Sequence, residues 1–266
     1  MKVSAIQMDM QFGNPDYNFE HAVKLVRQAA LEKPDVITLP ETWNVGFFPK
    51  ENLEKLSDKD GVRIKKVFGE LAKELNVNIV AGSIADLRDG NVYNTSYIFD
   101  RTGKDIASYD KVHLYPLFGE DQHFRKGQRL TTFELDGVRC GIVICYDIRF
   151  PELVRALALK KIDVLFVVAQ WPPVRIHHWQ LINRVRAIEN QMFICCTNSV
   201  GLAEARDIRF GGHSAVIGPL GEVLIEGGTD EQILTAEMDL SAIADVRELL
   251  KIYNDRRPDM YVGLSD

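Results

Sequence analysis

The sequence predicts an α/β protein, a four-layer α-β-β-α sandwich built from two related halves. Three observations predict it. Short apolar runs alternate with amphipathic stretches, which is the pattern of β-α-β units. The order of elements then recurs: Lys33-Pro34-Asp35-Val36-Ile37 through Trp43 aligns without gaps on Lys161-Ile162-Asp163-Val164-Leu165 through Trp171, and Ser96-Tyr97-Ile98-Phe99 with Gly103 aligns on Ser214-Ala215-Val216-Ile217 with Gly221. The helices are apolar on one face only, so each half leaves one sheet face bare. Stacking the two bare faces, helices outside, buries both.

Taken in order, the chain opens on a strand, Met1 to Met8. Residues 17–32 are expected to be helical, because Phe19, Ala22, Val23, Val26, Ala29 and Ala30 repeat at helical steps. Pro34 ends that helix, and the strand at 35–40 exits onto Glu41. A helix at 60–75 and a strand at 77–81 follow. Residues 93–100 and 104–109 read as a hairpin around Arg101-Thr102-Gly103, with Lys111 just beyond it. A polar loop, 113–129, precedes a second hairpin, 131–135 with 138–144, turned by Asp136-Gly137. After Cys145 come a helix at 152–160, a strand at 163–169, a helix at 177–190 and a strand at 192–197. A hairpin at 214–218 and 222–225, a strand at 233–238 and a helix at 241–250 complete the pattern. Residues 262–266 are expected to be disordered. The only turn between the halves is Asp136-Gly137, too short for a linker, so residues 1–266 read as a single domain.

Bulk properties exclude several classes. The formal charge of −6 is wrong for a general nucleic-acid binder. No apolar run approaches the roughly 20 residues of a membrane span, and the N-terminus turns polar too soon for a signal peptide. The 4 cysteines, Cys140, Cys145, Cys195 and Cys196, contain no CxxC pair, which fits a reducing, cytoplasmic setting. No metal site is expected: no HExxH or Cys/His cluster occurs, and His177 and His178 are adjacent and cannot share a helix face. Cys140, Cys195 and Cys196 sit in apolar strands and read as core.

Cys145 differs from them. The run Gly141-Ile142-Val143-Ile144-Cys145-Tyr146-Asp147-Ile148-Arg149-Phe150-Pro151-Glu152 is a strand that stops at a thiol and turns into a helix opening, a place to present a nucleophile. Glu41 and Lys111 share its address just past strand ends. Together the three suffice for amide hydrolysis. Glu41 can take the thiol proton and return it to leaving ammonia. Lys111 can favour the thiolate and stabilise the oxyanion with the Tyr146 backbone N–H. His113, two residues on, reads as a structural hydrogen-bond partner. Trp43 and Trp171, equivalent in the two halves, either wall a pocket or cap the core. Arg149 and Arg175 are candidates for a substrate carboxylate, against a scaffold pairing of Arg149 with Glu152 or Asp147 and a loop role for Arg175.

Leu39-Pro40-Glu41, Lys111-Val112-His113-Leu114 and Cys145-Tyr146-Asp147-Ile148-Arg149-Phe150-Pro151-Glu152 resemble, in order and spacing, the three signature segments of the nitrilase (carbon–nitrogen hydrolase) superfamily. The resemblance runs from Val3 to about Tyr261. It implies the same sandwich fold, Glu41 as general base, Lys111 as oxyanion stabiliser and Cys145 as nucleophile. It also implies a second glutamate in the loop after the lysine, for which Glu120 is the counterpart, with Asp121 adjacent. The Tyr-Asp-Ile-Arg-Phe-Pro continuation, Ala169-Gln170-Trp171-Pro172 and Arg186-Ala187-Ile188-Glu189-Asn190-Gln191 are similar to the ω-amidase branch, whose members hydrolyse the terminal amide of 2-oxoglutaramate or 2-oxosuccinamate. The resemblance implies no cofactor, and a homodimer or higher homo-oligomer built through the helix from Glu152 and the tail 252–261. The alternatives are another amidase, an N-carbamoyl amino acid hydrolase, a nitrilase, or a non-enzymatic binding protein. The intact Glu41, Lys111 and Cys145 set argues against the last.

Overall fold

Two mixed β-sheets lie face to face in the computed structural model, which describes residues 1–203 and 207–261. The first sheet contains β1 (Lys2–Gln7), β2 (Val36–Thr38), β3 (Asp58–Lys59), β4 (Asn78–Val80), β5 (Ile84–Arg88), β6 (Asn91–Phe99) and β7 (Asp105–Asp110). The second contains β8 (Thr132–Leu135), β9 (Val138–Ile144), β10 (Val164–Ala169), β11 (Phe193–Asn198), β14 (Ala215–Ile217) and β15 (Val223–Glu226). β12 (Leu202–Ala203) and β13 (Ile208–Arg209) form a separate pair. The last strand, β16 (Gln232–Glu237), returns to the first sheet and runs antiparallel to β1.

The repeat is real in three dimensions. β1, β2 and β4 are parallel neighbours, and β6 then pairs antiparallel with β4. In the second sheet β9, β10 and β11 are parallel neighbours, and β14 pairs antiparallel with β11. The outer antiparallel neighbours correspond too, β16 beside β1 and β8 beside β9.

Side-chain alternation assigns the layers. Val36, Val80 and Ile98 of the first sheet meet Ile142, Ile144, Val164, Phe166 and Val168 of the second in one buried inter-sheet core. The intervening residues point the other way. Ile37, Ile79 and Phe99 pack under α1 (Pro15–Ala30) and α3 (Val62–Leu75). Val143, Leu165 and Val167 pack under α5 (Pro151–Ala158) and α6 (Ile176–Asn190). The four-layer sandwich expected from single-faced helices is therefore the observed one. Three further helices are α2 (Leu53–Leu56), α4 (Glu120–His123) and α7 (Ser241–Leu249), the last with Ile243 in the inter-sheet core.

Local chemistry sets the turns. Asp136 and Gly137 both have positive φ, 49° and 83°, as a two-residue hairpin that matches strand twist requires. The sequence reading missed β5, although Asp89-Gly90 turns it into β6 with the same geometry, φ 48° and 72°. The expected loop 113–129 contains α4, which carries Glu120 inward. The expectation for residues 262–266 lies outside the described residues. Among the described residues no helix is long and apolar enough to cross a membrane.

Candidate active site

Glu41, Lys111, Glu120 and Cys145 converge in one cleft at the ends of the stacked sheets. Cys145 follows β9 directly. Its φ of +48° is unusual for a residue with a Cβ, and it turns the strand into a 3-10 helix, Cys145–Arg149. The sulfur is thereby presented to the cleft, and Tyr146 opens a helix whose first N–H groups have no intrahelical acceptor. Glu41 leaves β2 past Leu39 and Pro40. Lys111 is the residue after β7, held by a backbone bond from its N–H to Asn94 O at 2.9 Å.

The Lys111 ammonium is buried between two carboxylates. Nζ lies 2.8 Å from Glu41 Oε1, 2.9 Å from Glu120 Oε1 and 2.8 Å from Glu120 Oε2. Burial alone would discharge it, but Glu120 and Glu41 outweigh that and hold its pKa well above lysine's ordinary value. Burial raises the Glu120 pKa, against the pull of Lys111, and the Glu41 charge adds to the rise. Each polar contact of Glu120 is nonetheless a donor: Lys111, the Asn94 amide at 3.2 Å and the Tyr115 backbone N–H at 2.6 Å. Glu41 Oε1 takes Lys111 and Asn94, while Oε2 takes the Gln170 backbone N–H at 2.9 Å.

Burial pushes the Cys145 pKa well up; the Glu41 charge adds to this, and Lys111 opposes without prevailing. Lys111 does favour the thiolate, but its charge is shared between two carboxylates. Burial and the neighbouring Glu41 thus favour the neutral thiol over the thiolate.

The other expected residues divide. Trp171, Arg175, Arg149 and Tyr146 line the cleft. The Arg149 guanidinium sits 4.6 Å from the centre of the Trp171 ring, and that of Arg175 lies 5.7 Å from Tyr115. Among the described residues neither arginine forms an ion pair, so the expected partners Glu152 and Asp147 do not hold Arg149. Trp43 is not a pocket wall. It is fully buried under α1 and α3 against Phe19 and Phe68, with its Nε1 donating to Ala81 O at 2.8 Å. The bend after Glu41 sends its side chain to the outer core. Cys140 and Cys195 lie in the inter-sheet core and Cys196 beneath α6; burial pushes the Cys195 thiol up to about 12.

Three site residues escaped the sequence reading. Asn94, in mid-strand β6, donates to both Glu41 and Glu120. Its one signal was an asparagine inside a strand, where that residue is depleted. Gln170 contributes through its backbone, which no sequence pattern reveals. Asp147 is fully buried and ties the cysteine turn to the lysine strand. It accepts from Ile144 N at 3.1 Å, Tyr109 OH at 2.7 Å and His113 N at 2.8 Å, and pairs with His113 Nδ1 at 2.9 Å. His113 also stacks on Phe150, ring centres 3.7 Å apart, which bears out its structural role. Replacing Asp147 with Ala would strand several buried donors. The expected loss is about 3 kcal/mol or more, read from urea unfolding, with a fall in kcat in the protein that remains folded.

Comparison with known proteins agrees with this geometry. Residues 2–248 match the carbon-nitrogen hydrolase family. The chain is 41% identical over 259 residues to the 2-oxoglutaramate amidase of Bacillus subtilis (strain 168), covering 97% of this chain and 98% of that one. It is 35% identical over 260 residues to omega-amidase NIT2 of Danio rerio, covering 92% and 90%. The carbon-nitrogen hydrolase of Helicobacter pylori G27 superposes with a TM-score of 0.91 at 27% identity, over 100% of this chain and 98% of that one. A thiol, two carboxylates and a buried ammonium on this sandwich, with a family match across nearly the whole chain, lead to one assignment: the protein belongs to the carbon–nitrogen hydrolase (nitrilase) superfamily.

Proposed function

We propose that the protein is an ω-amidase, which hydrolyses the terminal amide of a small 2-oxo acid such as 2-oxoglutaramate to the dicarboxylate and ammonia. The observation that carries the chemistry is the Lys111 ammonium clamped by Glu41 and Glu120 beside the Cys145 thiol. Similarity to the amidases of B. subtilis and D. rerio supports the substrate class.

The cycle follows from the contacts. Glu41 takes the Cys145 proton and the sulfur attacks the amide carbon. The Lys111 ammonium, which already meets three carboxylate oxygens, lends its positive charge to the developing oxyanion beside the Tyr146 N–H. As the C–N bond breaks, the nitrogen takes the proton from Glu41 and leaves as ammonia. Water then attacks the thioester and gives its proton to Glu41. When the C–S bond breaks, that proton returns to the sulfur and the acid leaves. Glu120 holds Lys111 in place and in charge. No step uses a cofactor.

The substrate carboxylate needs a cation, because Lys111 with two ionised glutamates leaves the site net negative. Arg149 and Arg175 supply it. Held on aromatic faces and free of protein carboxylates, they remain available at the mouth of the cleft. Residues 1–266 act as one domain in this reading, since the site takes residues from both halves. The free thiols fit a cytoplasmic enzyme. A homodimer is supported by Leu181, Val185 and Ile188, an exposed apolar stripe on α6, each 46–49% exposed. This stripe would extend the seam expected on the helix from Glu152, whose residues Leu153, Val154 and Leu157 face the core.

Cys145→Ala should abolish ammonia release from 2-oxoglutaramate and leave the fold intact; Glu41→Gln should cut it by at least about 10³-fold. Wild-type release from a nitrile or a carbamoyl amino acid exceeding that from 2-oxoglutaramate would replace the substrate assignment. Arg175→Met or Arg149→Met should raise KM for 2-oxoglutaramate on the order of tenfold, and leave KM for a neutral amide unchanged. Val185→Asp should convert a two-chain mass in light scattering to one.

A further inference from the structure

We infer that Asn94 is a positioning residue for the reaction: its side-chain amide bridges Glu41 and Glu120, keeping the pair ionised and Glu41 aimed at the thiol. The inference rests on the reading of Glu41 as base. Asn94 is buried, 1% exposed, in the middle of β6. Its Nδ2 carries two hydrogens and meets one carboxylate with each, Glu41 Oε1 at 2.9 Å and Glu120 Oε1 at 3.2 Å. The same residue accepts the Lys111 backbone N–H at 2.9 Å, so it holds both the acids and the strand end that carries their counter-ion.

The orientation of the amide is dictated by charge. Turned over, Oδ1 would face two carboxylate oxygens. As it stands, Oδ1 is buried without a partner. An orphaned buried acceptor is destabilising, and a strand of this sheet has no need of one. The residue is explained by its donor end.

Two ionised carboxylates around one ammonium leave a net negative charge in a buried site. The charged and titratable groups that face the pair are Lys111 from the end of β7, Cys145 from the β9 turn and, at the mouth, Arg149, Arg175, Tyr115 and Tyr146. Lys111 is already shared. Neutral N–H donors must do the rest: Gln170 on Glu41, Tyr115 on Glu120, and Asn94 on both. Asn94 alone couples the two acids without adding charge. With Oε1 of Glu41 filled by Lys111 and Asn94, the free lone pair for the Cys145 proton is on Oε2. Without Asn94 the pair takes up a proton at higher pH, and Oε1 competes for it.

The test reads Asn94→Ala, Asn94→Asp and Asn94→Ser by the pH dependence of kcat/KM and of Cys145 alkylation by iodoacetamide, with thermal melting as the folding check. Activity and labelling fall as pH drops through ionisation of the pair. In Asn94→Ala that acid limb should move up by about one pH unit. It should move further in Asn94→Asp, which adds a third acid, and less in Asn94→Ser, which keeps one donor. kcat should fall on the order of tenfold or more in Asn94→Ala, with KM changed far less. A folded variant whose acid limb stays at the wild-type pH overturns the inference, whatever its kcat. Asn94→Ser is the variant to read if the others do not fold. Failure of iodoacetamide to label Cys145 in the wild type, or labelling without an acid limb, would instead overturn the reading of Glu41 and Cys145.

Discussion

One ammonium buried between two carboxylates is the constraint around which this structure is arranged. An isolated charge in a protein interior is too costly to keep. Lys111 remains charged because Glu41 and Glu120 approach within 2.8 Å. The second carboxylate then creates an excess of negative charge, which neutral donors absorb: the Asn94 amide and the backbone N–H groups of Gln170 and Tyr115. Burial first, and the Glu41 charge after it, push the Cys145 pKa up against the pull of Lys111.

The sandwich supplies the geometry through its repeat. Positions 41 and 169 are equivalent in the two halves, as are 42 and 170. These equivalent segments bond to each other: Glu41 N donates to Ala169 O at 3.4 Å, and Thr42 Oγ1 donates to Gln170 Oε1 at 2.7 Å. The site therefore straddles the two halves at the ends of their stacked sheets. Asp147 adds a second tie across it, joining the end of β9 to the end of β7. Both ties are buried hydrogen bonds to backbone or to rigid side chains, which suits a site that must hold donors against a developing charge without rearranging.

Legibility in the sequence followed the side chain's job. Glu41, Lys111 and Cys145 could be read because each ends an element whose periodicity is plain, and each carries chemistry that core packing does not need. Glu120 could be matched only through family likeness, since it lies on a four-residue helix within a polar loop. Asn94 and Asp147 act by bridging elements far apart in the chain, and no local pattern marks a bridge. The two tryptophans show the limit of a repeat. Trp43 and Trp171 occupy equivalent positions, yet one packs beneath α1 and α3 and the other faces the cleft. Their surroundings, not their alignment, separate them.

The sequence by itself determined the layers, the pairing of halves and the identity of the reactive trio. Hydrophobic periodicity dictates which faces must be buried, and only one stacking buries them all. Tertiary structure alone decided the burial that raises the thiol's pKa, the sharing of Lys111 between two acids, the Asn94 bridge between them and the placement of Arg149 and Arg175 at the cleft. Each of these depends on distances of a few ångströms between residues 9 to 129 positions apart, and on the burial that gives those distances their weight.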